Sequence, residues 1–147
     1  AAQWGSRPGY CDVGSVDQFS LAGLKAAIDF LETTSGLHDL QIAREQVGRL
    51  QDTLQSDKRV TLFGTADARG HLPTIAFSVA GETSGQSAQR LRQHGLIVGS
   101  GLQCSPVSHE SIGTSETGLV RISVGVRQPV NQITIACERL QAFTNSL

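Results

Sequence analysis

The sequence predicts an α+β fold: a small, largely antiparallel sheet covered on one side by helices. Three observations lead there. Apolar residues recur at helical spacing through the first third of the chain, then switch to alternation near Arg59. After the switch, short runs of strand length mix with helical stretches and glycine turns. A chain of 147 residues fits one domain and can bury a true core.

The elements follow in order. Residues 1–18 carry Gly5, Pro8, Gly9 and Gly14 without periodicity, which marks a loop. So long an opening loop is expected to be functional or to dock elsewhere. Leu21, Leu24, Ile28 and Leu31 then line one helix face, with Asp17 or Ser20 as the cap and Gly36 as the stop. A second helix carries Leu40, Ala43, Val47, Leu50 and Leu54 as its apolar stripe, with Arg44, Glu45, Arg49 and Asp52 on a solvated face. Val60 to Phe63 reads as a strand, and so does Thr74 to Val79, where Ile75, Phe77 and Val79 share a side. Between them residues 64–73 form a turn-rich connection.

Ser84 to His94 reads as a short helix with Ala88 and Leu91 inward, ended by Gly95. Leu96 to Val98 is expected to be a strand leading into a glycine-rich loop. Leu119 to Val124 is another strand, with Val120, Ile122 and Val124 on one face and Arg121 and Ser123 on the other. The last helix begins near Pro129, and Ile133, Ala136, Leu140 and Phe143 form its buried face.

Composition narrows the function classes. The formal net charge of −1 leaves no basic footprint for nucleic acid or an acidic membrane surface. No apolar run approaches a membrane span. Ala1 to Pro8 lacks the pattern of a signal peptide. Cys11, Cys104 and Cys137 are odd in number and widely spaced, which fits neither a disulfide framework nor a metal site and implies a reducing, cytoplasmic setting.

The candidate chemistry sits in Gly99-Ser100-Gly101-Leu102-Gln103-Cys104-Ser105-Pro106 and in the strand that follows. A thiol on a glycine-rich loop can be exposed and mobile, and as a thiolate it is a nucleophile. Arg121 on a strand is a rigid donor fork for a carboxylate or phosphate. With helices covering the Val120 face, Arg121 points to the uncovered one, and a register slip of one residue would bury it. Spacing alone leaves open the plainer alternative, that Cys104 is an ordinary small residue and Arg121 a solvated one.

Several motifs in order resemble one family. They are Arg7-Pro8-Gly9-Tyr10-Cys11-Asp12-Val13-Gly14-Ser15, Ala22-Gly23-Leu24-Lys25-Ala26-Ala27, and Ala76-Phe77-Ser78-Val79-Ala80-Gly81. Two more follow, Gly101-Leu102-Gln103-Cys104-Ser105-Pro106 running on to Ile112-Gly113-Thr114, and Gly118-Leu119-Val120-Arg121-Ile122-Ser123. The chain resembles the C-terminal part of class V aminotransferases, in the cysteine desulfurase branch of fold-type-I pyridoxal phosphate enzymes. The stretch from Gly101 to Ser123 is the specific one.

The resemblance implies roles. Cys104 matches the cysteine that takes up substrate sulfur as a persulfide. Arg121 matches the arginine that binds the carboxylate of a small amino-acid substrate. Gly14 and Ser15 match the glycine and threonine that reach the cofactor phosphate of a neighbouring subunit, and Ser15 keeps the hydroxyl. His109 matches a histidine in the loop after the cysteine, read here as loop support. The resemblance also implies that residues 1–18 correspond to the end of a large domain and residues 19–147 to the small C-terminal domain.

Departures cluster near the expected site: Asp12, Asp17, Gln103, Gly99 and Arg127-Gln128-Pro129 differ from the family pattern. Neither Lys25 nor Lys58 sits in a motif for binding pyridoxal phosphate covalently. The cofactor is therefore expected only in the context of a missing large domain, whether the chain is a piece of a longer enzyme or a truncated product. Alone it is expected to be inactive. The expected partners are that large domain and, through the exposed face, a second copy in a two-fold dimer. Alternatives are a non-catalytic binding or interaction module of the same fold, a related enzyme in which Cys104 is idle, and an unrelated α+β domain.

Overall fold

A computed structural model describes residues 15–33, 36–64 and 72–147, and the chain falls into two compact units, 1–36 and 37–147. The first unit holds α1 (Gln18–Thr33). Asp17 caps it: its carboxylate accepts the Ser20 backbone N–H at 3.0 Å and the Ser20 hydroxyl at 2.6 Å. The hydroxyl bond first, then the backbone bond, hold the Asp17 carboxyl below its ordinary pKa. The apolar stripe of α1 is on the surface, with Leu21, Leu24, Ile28 and Leu31 all exposed. Gly36, expected as the stop of this helix, begins the next one instead.

The second unit is built from α2 (Gly36–Gln55), β1 (Val60–Phe63), β2 (Thr74–Val79), α3 (Ser84–Gln93), β3 (Gly99–Gly101), α4 (Pro106–Ser111), β4 (Leu119–Ser123) and α5 (Val130–Ser146). Its four strands run in the order β1-β2-β4-β3, each antiparallel to its neighbours. This is the α+β architecture expected from the change of period.

The core explains which face of the sheet is covered. Ile75, Phe77 and Val79 on β2 and Val120 on β4 alternate inward. They join a buried cluster with Val47, Leu50 and Leu54 of α2, Leu91 of α3, and Ile133, Leu140 and Phe143 of α5. The stripes expected on α2 and α5 are thus the buried ones. Among the described residues Phe77 and Phe143 are the largest side chains fully removed from water.

Polar contacts lock the helices onto this core. Thr83 opens α3 with a capping box: its hydroxyl accepts the Gln86 N–H, and the Gln86 side-chain Oε1 accepts the Thr83 N–H at 2.8 Å. The end of α5 is gripped from two sides. Arg59, paired with Asp57 at 2.5 Å, donates to the Thr144 carbonyl at 3.0 Å. Arg90, paired with Glu82, donates to the Ser146 carbonyl at 2.6 Å. The side-chain bond from Arg59 chiefly lowers the Asp57 carboxyl to a pKa of about 2.

One strand differs from expectation. The strand before the cysteine loop is Gly99–Gly101, whereas Leu96–Val98 was the stretch with strand-like side chains. The end of α3 claims Leu96, whose N–H bonds back to the Leu91 carbonyl at 2.9 Å. Leu96 and Val98 pack on the core as a connection, and pairing begins where Gly99 meets Arg121. The helix α4 carried no periodic signal and was not foreseen. Pro129 precedes the last helix rather than opening its first turn.

Candidate functional site

Arg121 takes its position from β4, the second-last strand of the sheet order. Its neighbours across the ladder are Ala76 on β2 and Gly99 on β3, both too small to crowd it. Directly opposed residues project to the same side, so Arg121 stands between them on the face that the helices of the second unit leave open. Ser123 shares that face and accepts a hydrogen bond from Thr74 at 3.0 Å. Arg121 is exposed, and no other side chain pairs with it among the described residues.

Cys104 lies three residues beyond the end of β3, exposed and as a free thiol. Gly101 turns the chain with a φ of 94°. Gln103 and Cys104 are left-handed as well, with φ of 52° and 59°. For residues other than glycine that costs roughly 1–2 kcal/mol each, which the surrounding bonds must offset. The Ser105 N–H bonds to the Leu102 carbonyl at 2.9 Å, closing the turn, and Pro106 then opens α4.

The rest of the loop is tied to itself and to its stem. His109, buried within α4, shares a 2.7 Å hydrogen bond between Nδ1 and the Thr114 hydroxyl. The Thr114 N–H bonds to the His109 carbonyl at 2.9 Å, and the Gly118 N–H to the Thr114 carbonyl at 2.8 Å. At the stem, Ser84 holds both sides. Its hydroxyl accepts the Gly101 N–H at 3.0 Å, and its own N–H bonds to the Thr117 carbonyl at 2.8 Å. Gly118 packs so close that a Cβ there would lie 2.6 Å from the Ser84 hydroxyl and 2.8 Å from the Gly101 Cα.

Gln103 folds back over the strand. A Cβ on Gly99 would come within 3.1 Å of its Oε1 and 3.2 Å of its Nε2. The amide therefore fills the space that glycine leaves opposite Arg121. Sequence reasoning marked Gln103 only as a departure from a pattern, and it passed over Ser84, whose partner is 17 residues away in sequence.

A family description reading aminotransferase class-V matches residues 2–135. The chain belongs to the class V aminotransferase family. Its fold is similar to the cysteine desulfurase CsdA (S-sulfonic acid) from Escherichia coli, with a TM-score of 0.72 at 18% identity. It is also similar to the apo cysteine desulfurase of Thermococcus onnurineus NA1, with a TM-score of 0.74 at 23% identity. Each likeness covers 95% of this chain and 34% of the other, so this class V chain spans about a third of the length of either. At such identities the likeness is one of fold. No curated protein sequence matches closely enough to add to this.

Full-length class V relatives imply pyridoxal phosphate. Lys58 is exposed in the turn before β1, at the sheet edge opposite β3. In the first unit Lys25 is engaged with Asp29 at 2.6 Å. Of the two residues expected to reach the cofactor phosphate, Ser15 is exposed just before α1 and Gly14 lies outside the described residues, as does Cys11. Among the described residues no cluster of His, Cys, Asp and Glu could hold a metal ion, and no helix is long and apolar enough to cross a membrane. A groove of about 410 Å³ between Leu50, Leu96, Ile122, Gln132, Ile133 and Arg139 includes neither Cys104 nor Arg121.

Proposed function

We propose that this chain is the small C-terminal domain of a pyridoxal-phosphate-dependent cysteine desulfurase, and that it contributes Cys104 as the sulfur acceptor and Arg121 as the carboxylate clamp. The observation that carries this is Arg121, exposed on the open sheet face with no side-chain partner among the described residues, directly opposite the strand from which the Cys104 loop departs. A bidentate pair with Arg121 would fix the carboxylate of a small amino acid at one end. Cys104, as thiolate, then attacks the substrate thiol: an S–S bond forms, the substrate C–S bond breaks, and its electron pair goes to carbon, which takes up a proton. Cysteine so treated becomes alanine, and the enzyme thiolate becomes a persulfide. The electron sink that such a carbon needs is the chemistry pyridoxal phosphate supplies, and its site belongs in a larger domain that covers the open face. Gly14 and Ser15 are the residues proposed to reach the cofactor phosphate of the neighbouring subunit of a homodimer, and His109 to brace the loop. A reactive free thiol suits the reducing cytoplasm.

The protein carrying this chain, given L-cysteine, should yield alanine in step with a persulfide on the Cys104 peptide, read by mass spectrometry. Cys104→Ser should abolish the persulfide, and Arg121→Ala should raise KM by about 10- to 100-fold. Alanine production undiminished by Cys104→Ser would end the proposal and favour the binding-module alternative.

A further inference from the structure

The surroundings of Arg121 are unusual in charge. Gly99 stands directly across the ladder from it, so the place a Cβ on residue 99 would occupy lies on the Arg121 side of the sheet. Gln103 fills that place with its amide, Oε1 at 3.1 Å and Nε2 at 3.2 Å. Its left-handed backbone, with φ of 52°, turns the residue before Cys104 into the stem. Ala76, on the other flank of Arg121, adds no polar group. Among the described strand residues Arg121 is the one charged side chain, and beside it stands a neutral amide that can both donate and accept.

We propose that Gln103 is a specificity-determining residue of the Arg121 site, selecting ligands with a single carboxylate and a neutral polar group, as in a small neutral amino acid, over dicarboxylates and phosphorylated compounds. A second anionic group set beside Arg121 would meet the Gln103 amide, which carries no charge to offset its lost hydration. The inference deepens the carboxylate-clamp reading of Arg121 and rests on it.

The test uses the protein carrying this chain and follows the alkylation of Cys104 on its own peptide. Iodoacetate carries one carboxylate, 2-bromosuccinate two, and iodoacetamide none. Ratios of their rates cancel any change in the thiolate fraction. Arg121→Ala should lower the iodoacetate-to-iodoacetamide ratio about threefold to fivefold, the scale of an exposed charge pair. Gln103→Glu, which sets a carboxylate against Arg121, should lower it about threefold, and should lose most of that effect in the Arg121→Ala background. Gln103→Lys should raise bromosuccinate relative to iodoacetate by a similar factor. If Arg121→Ala leaves the ratio unchanged, the clamp itself fails and the inference falls with it. If Arg121→Ala lowers the ratio but Gln103→Glu acts equally in both backgrounds, Gln103 is merely a neighbour of the thiol: the inference is overturned while the clamp stands. No gain for bromosuccinate with Gln103→Lys would equally overturn it.

Discussion

Gly118→Ala should be among the most damaging single-methyl changes in this protein. Two costs combine at that position. Gly118 has a φ of 63°, where a Cβ costs roughly 1–2 kcal/mol. The added carbon would also lie 2.8 Å from the Gly101 Cα and 3.0 Å from its carbonyl carbon, both main-chain atoms that cannot rotate aside. Overpacking against such neighbours costs about 1–3 kcal/mol, for a sum of about 2–5 kcal/mol. Gly113→Ala is the matched control, since its φ of 73° is similar and nothing lies within 4 Å of its would-be Cβ. It should lose only the backbone share, about 1–2 kcal/mol. Urea unfolding of the two variants should separate their midpoints by about 1 M, given slopes of roughly 1–3 kcal/mol/M. Adding Ser84→Ala should recover little, because the contact with Gly101 persists. If Gly118→Ala and Gly113→Ala unfold within about 0.5 kcal/mol of each other, a typical limit of significance for surface changes, the tight stem is not what the distances imply.

Two further outcomes are expected. Phe77→Ala empties the centre of the sheet, where the ring is wholly buried, and should cost about 3–5 kcal/mol in the same unfolding assay. Asp57, with its folded pKa lowered to about 2, adds stability that is complete above its unfolded value of about 3.9 and lost as pH falls through the folded one. Acid unfolding should therefore show a component between about pH 4 and 2 that Asp57→Asn removes, and an unchanged profile in that variant would count against the Arg59 pairing.

Much of the second unit was legible because its stripes obey simple periods. Val47, Leu50 and Leu54 repeat at helical spacing and are buried; Ile75, Phe77 and Val79 alternate and are buried. Such patterns record burial on one face, which is also why Arg121 could be assigned to the other. The strand β3 escaped because Gly-Ser-Gly has no side-chain pattern; its pairing is set by the β4 backbone and the close approach of Gly118. The exposed stripe of α1 shows the opposite case, a helical period read correctly without burial behind it. At the site, Cys104 and Arg121 were recognisable as residue types in motifs, but the amide of Gln103 over Gly99 and the Ser84 bond to Gly101 arise from tertiary approach. No spacing rule reports contacts of that kind.

The sheet order has a consequence for how the thiol moves. β3 is an outermost strand joined by only three residue pairs, Gly99 with Arg121, Ser100 with Val120 and Gly101 with Leu119. It supplies no large side chain to the core. Beyond the stem that Ser84 and Gly118 hold, swinging the exposed Cys104 turn aside uncovers little oil and leaves the four strands and their helices intact, the condition for a local opening far cheaper than global unfolding. Cys104 thus rides on a loose hem, while the Arg121 guanidinium is stitched into the cloth: the thiol can shift relative to Arg121 without disturbing the strand that holds it.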